Sequence, residues 1–151
     1  MQETSTGPLP LDDDVVAKLL EGANLARIAY IGLNGRPHVV PIWCQYRDGE
    51  IVMITGPKAD KVPALERNGA VAITIDSSTP PYNALLIDGT ATVERTEGMA
   101  AEYPEIVRRY LGLAADAYLG RMRVKEQRRI RVKIDAWRVL DFVKRFPKSL
   151  R

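Results

Sequence analysis

The spacing of apolar and polar positions changes several times along the chain, and each change marks an element. Val15, Val16, Leu19 and Leu20 recur at helical spacing behind Asp12 to Asp14, whose carboxylates suit a helix cap and first turn; Gly22 and Asn24 mark the end of this short helix. From Leu25 the residues favour strands. LARIAYIGL, the turn pair Asn34-Gly35, HVVPIWCQY, a turn at Arg47-Asp48-Gly49 and IVMITG together predict a three-stranded meander. Pro41 has no N–H to give to a ladder, so its strand is expected at an edge or with a bulge, leaving the backbone from Pro41 to Trp43 available to something other than a neighbouring strand. Residues 57–67 read as a helix ending at Asn68-Gly69, with Pro63 imposing an irregular start or a kink. AVAITID fits a buried strand, SSTPP a loop, and ALLIDGTATVE a further strand in which Gly89 marks a bulge or a close backbone approach.

Helical spacing returns over residues 98–110, where Ile106, Val107, Tyr110 and Leu111 fall near one face, and again over 114–122; these helices are expected to cover one mouth of the sheet. Residues 129–134 alternate cation and aliphatic in strict period two, which sets Arg129, Arg131 and Lys133 on one face of a last strand that continues through Trp137, Val139, Leu140 and Phe142. Six strands with hairpin-length connections predict a mainly β fold, an antiparallel barrel with appended helices, rather than a βαβ fold. No glycine-rich dinucleotide or P-loop frame follows a strand. Residues 1–11, with Gly7, Pro8 and Pro10, read as a flexible lead-in, and residues 12–146 as a single domain.

Composition supports one soluble core without specifying its use. The 151 residues are 46% hydrophobic and 27% charged, ordinary globular values, and no apolar run approaches the roughly 20 residues of a membrane span. Without a basic-then-apolar leader, the expected location is the cytoplasm. One cysteine, Cys44, and one histidine, His38, rule out an internal disulfide and a Cys/His zinc cage within one chain. Charge changes the picture more. Net charge is only +3, yet Arg121, Arg123, Lys125, Arg128, Arg129, Arg131 and Lys133 crowd around a single Glu126, which reads either as a solvated or subunit-facing surface or as the attraction site of an anionic partner. Nucleic acid is not expected, because aromatics do not interleave with this run and no groove-reading motif is present.

The candidate chemistry centres on Thr55-Gly56-Pro57-Lys58-Ala59-Asp60-Lys61. A hydroxyl, small residues, two lysines and the N–H groups of a helix start form an anion cradle, and helical spacing would let Lys58 and Lys61 reach one phosphate. His38, at the start of a strand, is read as structural and Cys44 as a packed thiol. Trp43 fits a flat ring or the core equally, Trp137 fits the core better, and Tyr82, in a proline-flanked loop, is a candidate ligand contact.

Taken in order, LARIAYIG, GRPHVVPIW, IVMITG, the lysine-bearing helix, AVAITID, LLIDGTATVE and AWRVLDF make the chain resemble the pyridoxamine 5'-phosphate oxidase-like, FMN-binding split-barrel superfamily over residues 11–143. The resemblance implies a six-stranded antiparallel split β-barrel that forms a homodimer with two cofactor sites at the interface. It sets Pro41, Ile42 and Trp43 against the isoalloxazine or deazaflavin ring, and Thr55, Lys58 and Lys61 at the phosphate. The loop at Pro81, Tyr82 and Asn83 would approach from the same or the partner subunit. The chain departs from the oxidases themselves where their Ser-Arg-Lys phosphate triplet is Ala59-Asp60-Lys61, and their C-terminal substrate pattern is not reproduced at Trp137-Arg138, so pyridoxamine phosphate oxidation is not expected.

The implied function is an oxidoreductase that uses FMN or coenzyme F420 to pass a hydride to or from a small organic substrate, the cofactor supplying the redox chemistry. The acidic tail of F420 would suit the cations between Arg121 and Lys133. The competing reading is a non-catalytic split barrel that stores or senses flavin or haem.

Overall fold

The computed structural model describes residues 3–150, with the side chains of Arg145 and Leu150 outside the description. In chain order its elements are α1 (Asp14–Glu21), β1 (Ala26–Ile31), β2 (Pro37–Ile42), β3 (Gln45–Arg47), β4 (Glu50–Thr55), α2 (Lys61–Arg67), β5 (Ala70–Asp76), β6 (Asn83–Glu97), α3 (Tyr103–Leu111), α4 (Ala115–Arg121) and β7 (Glu126–Asp141). The fold is mainly β, as expected. All seven strands lie in one antiparallel sheet of order β2-β1-β5-β6-β7-β4-β3, which is not closed by hydrogen bonds. Among the described residues no helix is long and apolar enough to cross a membrane.

The expected count of six strands is corrected to seven, and the reason is local. HVVPIWCQY does not run as one strand. Its first part pairs with β1, ending at Ile42 opposite Ala26, and its last part pairs with β4, beginning at Gln45 opposite Val52. Strand β1 starts at Ala26, so beyond Ile42 the chain has no further partner there and transfers to β4 through Trp43 and Cys44. The two halves thereby become opposite edges of the sheet. Only three peptide units separate Ile42 from Gln45, so these edges come within about 11 Å of each other. The sheet is curled until its edges nearly meet, leaving a seam.

Curling gives the sheet an inside. Directly paired residues share a face, and the inward set runs Ile28, Ile73 and Ile87 across β1, β5 and β6, and Met53 and Ile130 across β4 and β7. Each is 0–1% exposed. Burying a side chain of this size contributes about 1.5–3 kcal/mol, so this row is a principal source of stability. Helix α1, capped by the Asp13 carboxylate on the N–H groups of Val15 and Val16, adds Val16, Leu19 and Leu20; α2 adds Ala64 and Leu65. Leu9 is also buried in this core, and Ser5 pairs with Trp137, so the lead-in is tied to β7.

Two glycines are required by close approach. A Cβ on Gly89 would lie 2.4 Å from Val132 Cγ1 and 2.8 Å from the Lys133 carbonyl, beside the register shift that leaves Asp135 without a direct partner, so the expected bulge is found. A Cβ on Gly69 would meet the Ala91 carbonyl at 2.6 Å.

Two helical expectations are corrected. Helix α2 begins at Lys61, not at residue 57, because the chain turns at 57–60 first; of the two expectations attached to Pro63 the irregular start is the one found, and Pro63 occupies the third helical position, where no intrahelical N–H bond is lost. Helices α3 and α4 do not cover a mouth. Ile106 and the adjoining Ala100 pack on Val52 and Ile54, the outward side of β4, together with Trp43, Tyr103 and Tyr110.

Candidate functional site

The seam is where the backbone has unmatched edges. If the β3–β4 register continued past Gln45 and Val52, then Cys44, Trp43 and Ile42 would stand opposite Met53, Ile54 and Thr55. Instead β2 turns away to β1, and the edge of β4 from Met53 to Thr55 is paired only with β7. Pro41, Ile42 and Trp43 thus line one side of the seam and Thr55 the other. Proline in an edge strand is what this arrangement tolerates.

Helix α3 crosses the seam. The Tyr110 hydroxyl accepts from the Cys44 N–H at 3.2 Å and donates to the Asn24 carbonyl at 2.7 Å, while Arg109 donates to the Leu20 carbonyl at 3.0 Å. Trp43 stacks on the Tyr110 ring, 5.3 Å between centroids and 9° from parallel, with Tyr118 edge-on at 6.3 Å. Burial pushes the Tyr110 hydroxyl up to about 12, aided by the neighbouring Cys44, so it stays protonated and able to donate. The Cys44 thiol is raised by burial as well, which suits the packed, unreactive role expected of it.

Beyond Thr55, where β4 parts from β7, lies a cleft of about 630 Å³, walled on one side by Ile54, Thr55, Gly56 and Pro57 and on the other by Tyr103 and residues 122–127. Its size falls in the range of small-molecule sites. Two cations in its wall, Arg123 and Lys125, have no carboxylate partner among the described residues: Arg123 donates only to the carbonyls of Gly120 and Met122. Glu126 is engaged by Arg95 at 2.6 Å and Arg128 at 3.5 Å. A threonine and two uncompensated cations in the wall of one cleft are a donor set for an anion, and they fit a phosphate-bearing group.

The basic run is therefore two things. Arg129 and Arg131 lie on the outward face of β7, as the alternation predicts, but they are spent internally in a chain of ion pairs, Glu50–Arg131–Glu94–Arg129–Glu102, with contacts of 2.5–3.1 Å. Glu94 is held below the usual carboxylate range, chiefly by its hydrogen bond from Arg131; burial opposes this, and Arg129 adds to it. The expectation that the whole cluster from Arg121 to Lys133 attracts an acidic group is narrowed to the cations ahead of β7.

The remaining candidates are scattered. Lys58 is exposed in the turn before α2, outside the helix, so the helical spacing expected between it and Lys61 is not present. Lys61 opens α2 half-buried; burial lowers its pKa while Asp60 works in the opposite sense. Neither lysine lines the cleft. Tyr82 is 47% exposed on the outer face of the sheet, in a separate depression of about 390 Å³ with Ala29, Val39, Leu140, Phe142 and the ion-paired Arg27 and Asp76. His38 is exposed, stacked on Tyr30 at 5.6 Å and 3.2 Å from the Asn34 side-chain oxygen. Trp137 donates to the Gly7 carbonyl at 3.2 Å. Sequence reasoning missed Tyr110 as a site residue, and it named Arg123 and Lys125 only within the whole basic run. Residues 122–125 alternate apolar and cationic just as β7 does, so pattern alone merges them with the strand.

Comparison with known proteins places this geometry. The family model described as pyridoxamine 5'-phosphate oxidase matches residues 12–141. No curated protein matches the sequence. Among solved structures, an F420 reductase superposes with a TM-score of 0.64 at 21% identity, over 80% of this chain and 93% of that one. A conserved hypothetical protein from Mycobacterium tuberculosis gives 0.71 at 20% identity, over 97% and 94%. An FAD-binding protein from Mesorhizobium loti gives 0.55 at 17% identity, over 91% and 99%. At these identities the likeness is one of fold.

Proposed function

The chain belongs to the pyridoxamine 5'-phosphate oxidase family, and from that premise we propose that it is a cytoplasmic oxidoreductase that binds FMN or coenzyme F420 in the seam of a split barrel and acts on a small organic substrate. The observation that carries the reading is the cleft of about 630 Å³ where β4 parts from β7, whose wall holds Thr55, Arg123 and Lys125. When bound, the cofactor supplies hydride chemistry. The chain supplies position and charge. Pro41, Ile42 and Trp43 present edge backbone and an aromatic face to a flat ring. Thr55 in the cleft wall, with Lys58 and Lys61 beside the cleft and outside its wall, would meet the phosphate over the turn between β4 and α2, and the lowered pKa of Lys61 marks a cation partly removed from water, where a charge-assisted contact is strongest. Arg123 and Lys125 suit a second anionic group, which FMN lacks and F420 carries. Tyr82 and the apolar face around it would meet a second copy of the chain, completing a homodimer with two sites.

The proposal is tested by ligand affinity. Lys61→Ala is expected to weaken FMN or F420 binding by roughly 1.5–3 kcal/mol. Replacing Arg123 and Lys125 together by alanine is expected to weaken F420 far more than FMN. Wild-type affinity in Lys61→Ala would remove that residue from the site, and equal losses for both ligands in the double variant would remove the tail assignment. Tight binding with no turnover by any reductant or acceptor would favour storage or sensing instead.

A further inference from the structure

We propose that Tyr110 is the positioning residue of this site, its hydroxyl holding Cys44, in the link between the two sheet edges, to the approach to β1 and its ring fixing the attitude of Trp43. The inference rests on the cofactor reading above and deepens it. At the seam no strand is present to hold the backbone between Ile42 and Gln45, yet this is the segment proposed to lie along the ring. Tyr110 does what a ladder partner would do. One oxygen accepts the Cys44 N–H at 3.2 Å and donates its own O–H to the Asn24 carbonyl at 2.7 Å, so a residue joining the two sheet edges is tied to the residue two places before β1.

Three further contacts hold that oxygen in place. Arg109 Nη2 lies 3.4 Å from it, the Arg109 guanidinium carbon sits 5.1 Å from the Tyr110 ring centre, and Arg109 Nη1 is anchored on the Leu20 carbonyl at 3.0 Å. The far face of the arrangement is Trp43, nearly parallel to Tyr110 at 5.3 Å. A tyrosine that only filled space would need none of these polar contacts. Phenylalanine keeps the ring and its stacking and loses the tether.

Tyr110→Phe is the test, with Val107→Ala as its control, since Val107 is fully buried on the same helix and its side chain can make no hydrogen bond to the seam backbone. Both variants are expected to melt earlier than wild type. Tyr110→Phe should weaken binding of FMN or F420 roughly tenfold and shift the absorption maximum of the bound cofactor, whereas Val107→Ala should do neither. A second readout needs no cofactor: in a Trp137→Phe background, acrylamide quenching of Trp43 emission should rise in Tyr110→Phe and not in Val107→Ala. Unchanged affinity and quenching in Tyr110→Phe, or the same changes in Val107→Ala, overturn the assignment. A wild-type protein that binds neither cofactor defeats the cofactor reading alone, and the quenching comparison still decides the role of Tyr110.

Discussion

Gly89 illustrates how much a single position can state in advance. A glycine inside an otherwise apolar strand signals a bulge or a close approach, and the structure has both, with Val132 and the Lys133 carbonyl occupying the space a methyl group would need. Gly89→Ala is expected to destabilise the fold by about 1–3 kcal/mol in urea denaturation, the range for overpacking a core against backbone; a change near zero would mean that β7 shifts at no cost. Pro41 was equally legible, because a residue without an N–H belongs on an edge. Tyr110 was not. Its helical spacing with Ile106 and Val107 announces a buried side and says nothing of the hydroxyl, whose partners Asn24 and Cys44 are 86 and 66 residues away in the chain.

Strands and turns were read well because their signals are local: period two in β7, small and β-branched residues in β5, turn pairs at Asn34-Gly35 and Asp48-Gly49. What local pattern could not convey is partner exchange. HVVPIWCQY is a sound strand by composition, and only the pairing of its halves with β1 and β4 divides it. The cations of β7 carry the same lesson, since alternation gives their face and not the glutamates of β4, β6 and the approach to α3 that meet them. This network ties α3 to the sheet and should be visible in pH dependence. Glu94 has its folded pKa depressed, so its contribution is fully present above the unfolded value of about 4.3 and is lost as pH falls through the folded pKa. Wild type should therefore exceed Glu94→Gln in stability at neutral pH, with the difference shrinking in acid below about pH 4. A constant difference across that range would show that the carboxylate charge does not contribute.

At the scale of the molecule, the fold gathers Thr55, Arg123 and Lys125 in the wall of a cleft where β4 parts from β7, and leaves a second, apolar depression with Val39, Tyr82 and Phe142 on its outer face. The first is the proposed cofactor end and the second the proposed meeting surface of two chains. Their separation explains why the candidate residues do not gather within one chain: Tyr82 belongs with the outer face, Thr55 with the cleft. Both halves of the account can be read in one experiment, sedimentation of the protein with FMN or F420 followed at the absorbance of the cofactor. The account predicts cofactor absorbance moving with a species of twice the 16.8 kDa chain mass. Cofactor absorbance that stays behind with the solvent while the protein sediments would contradict it.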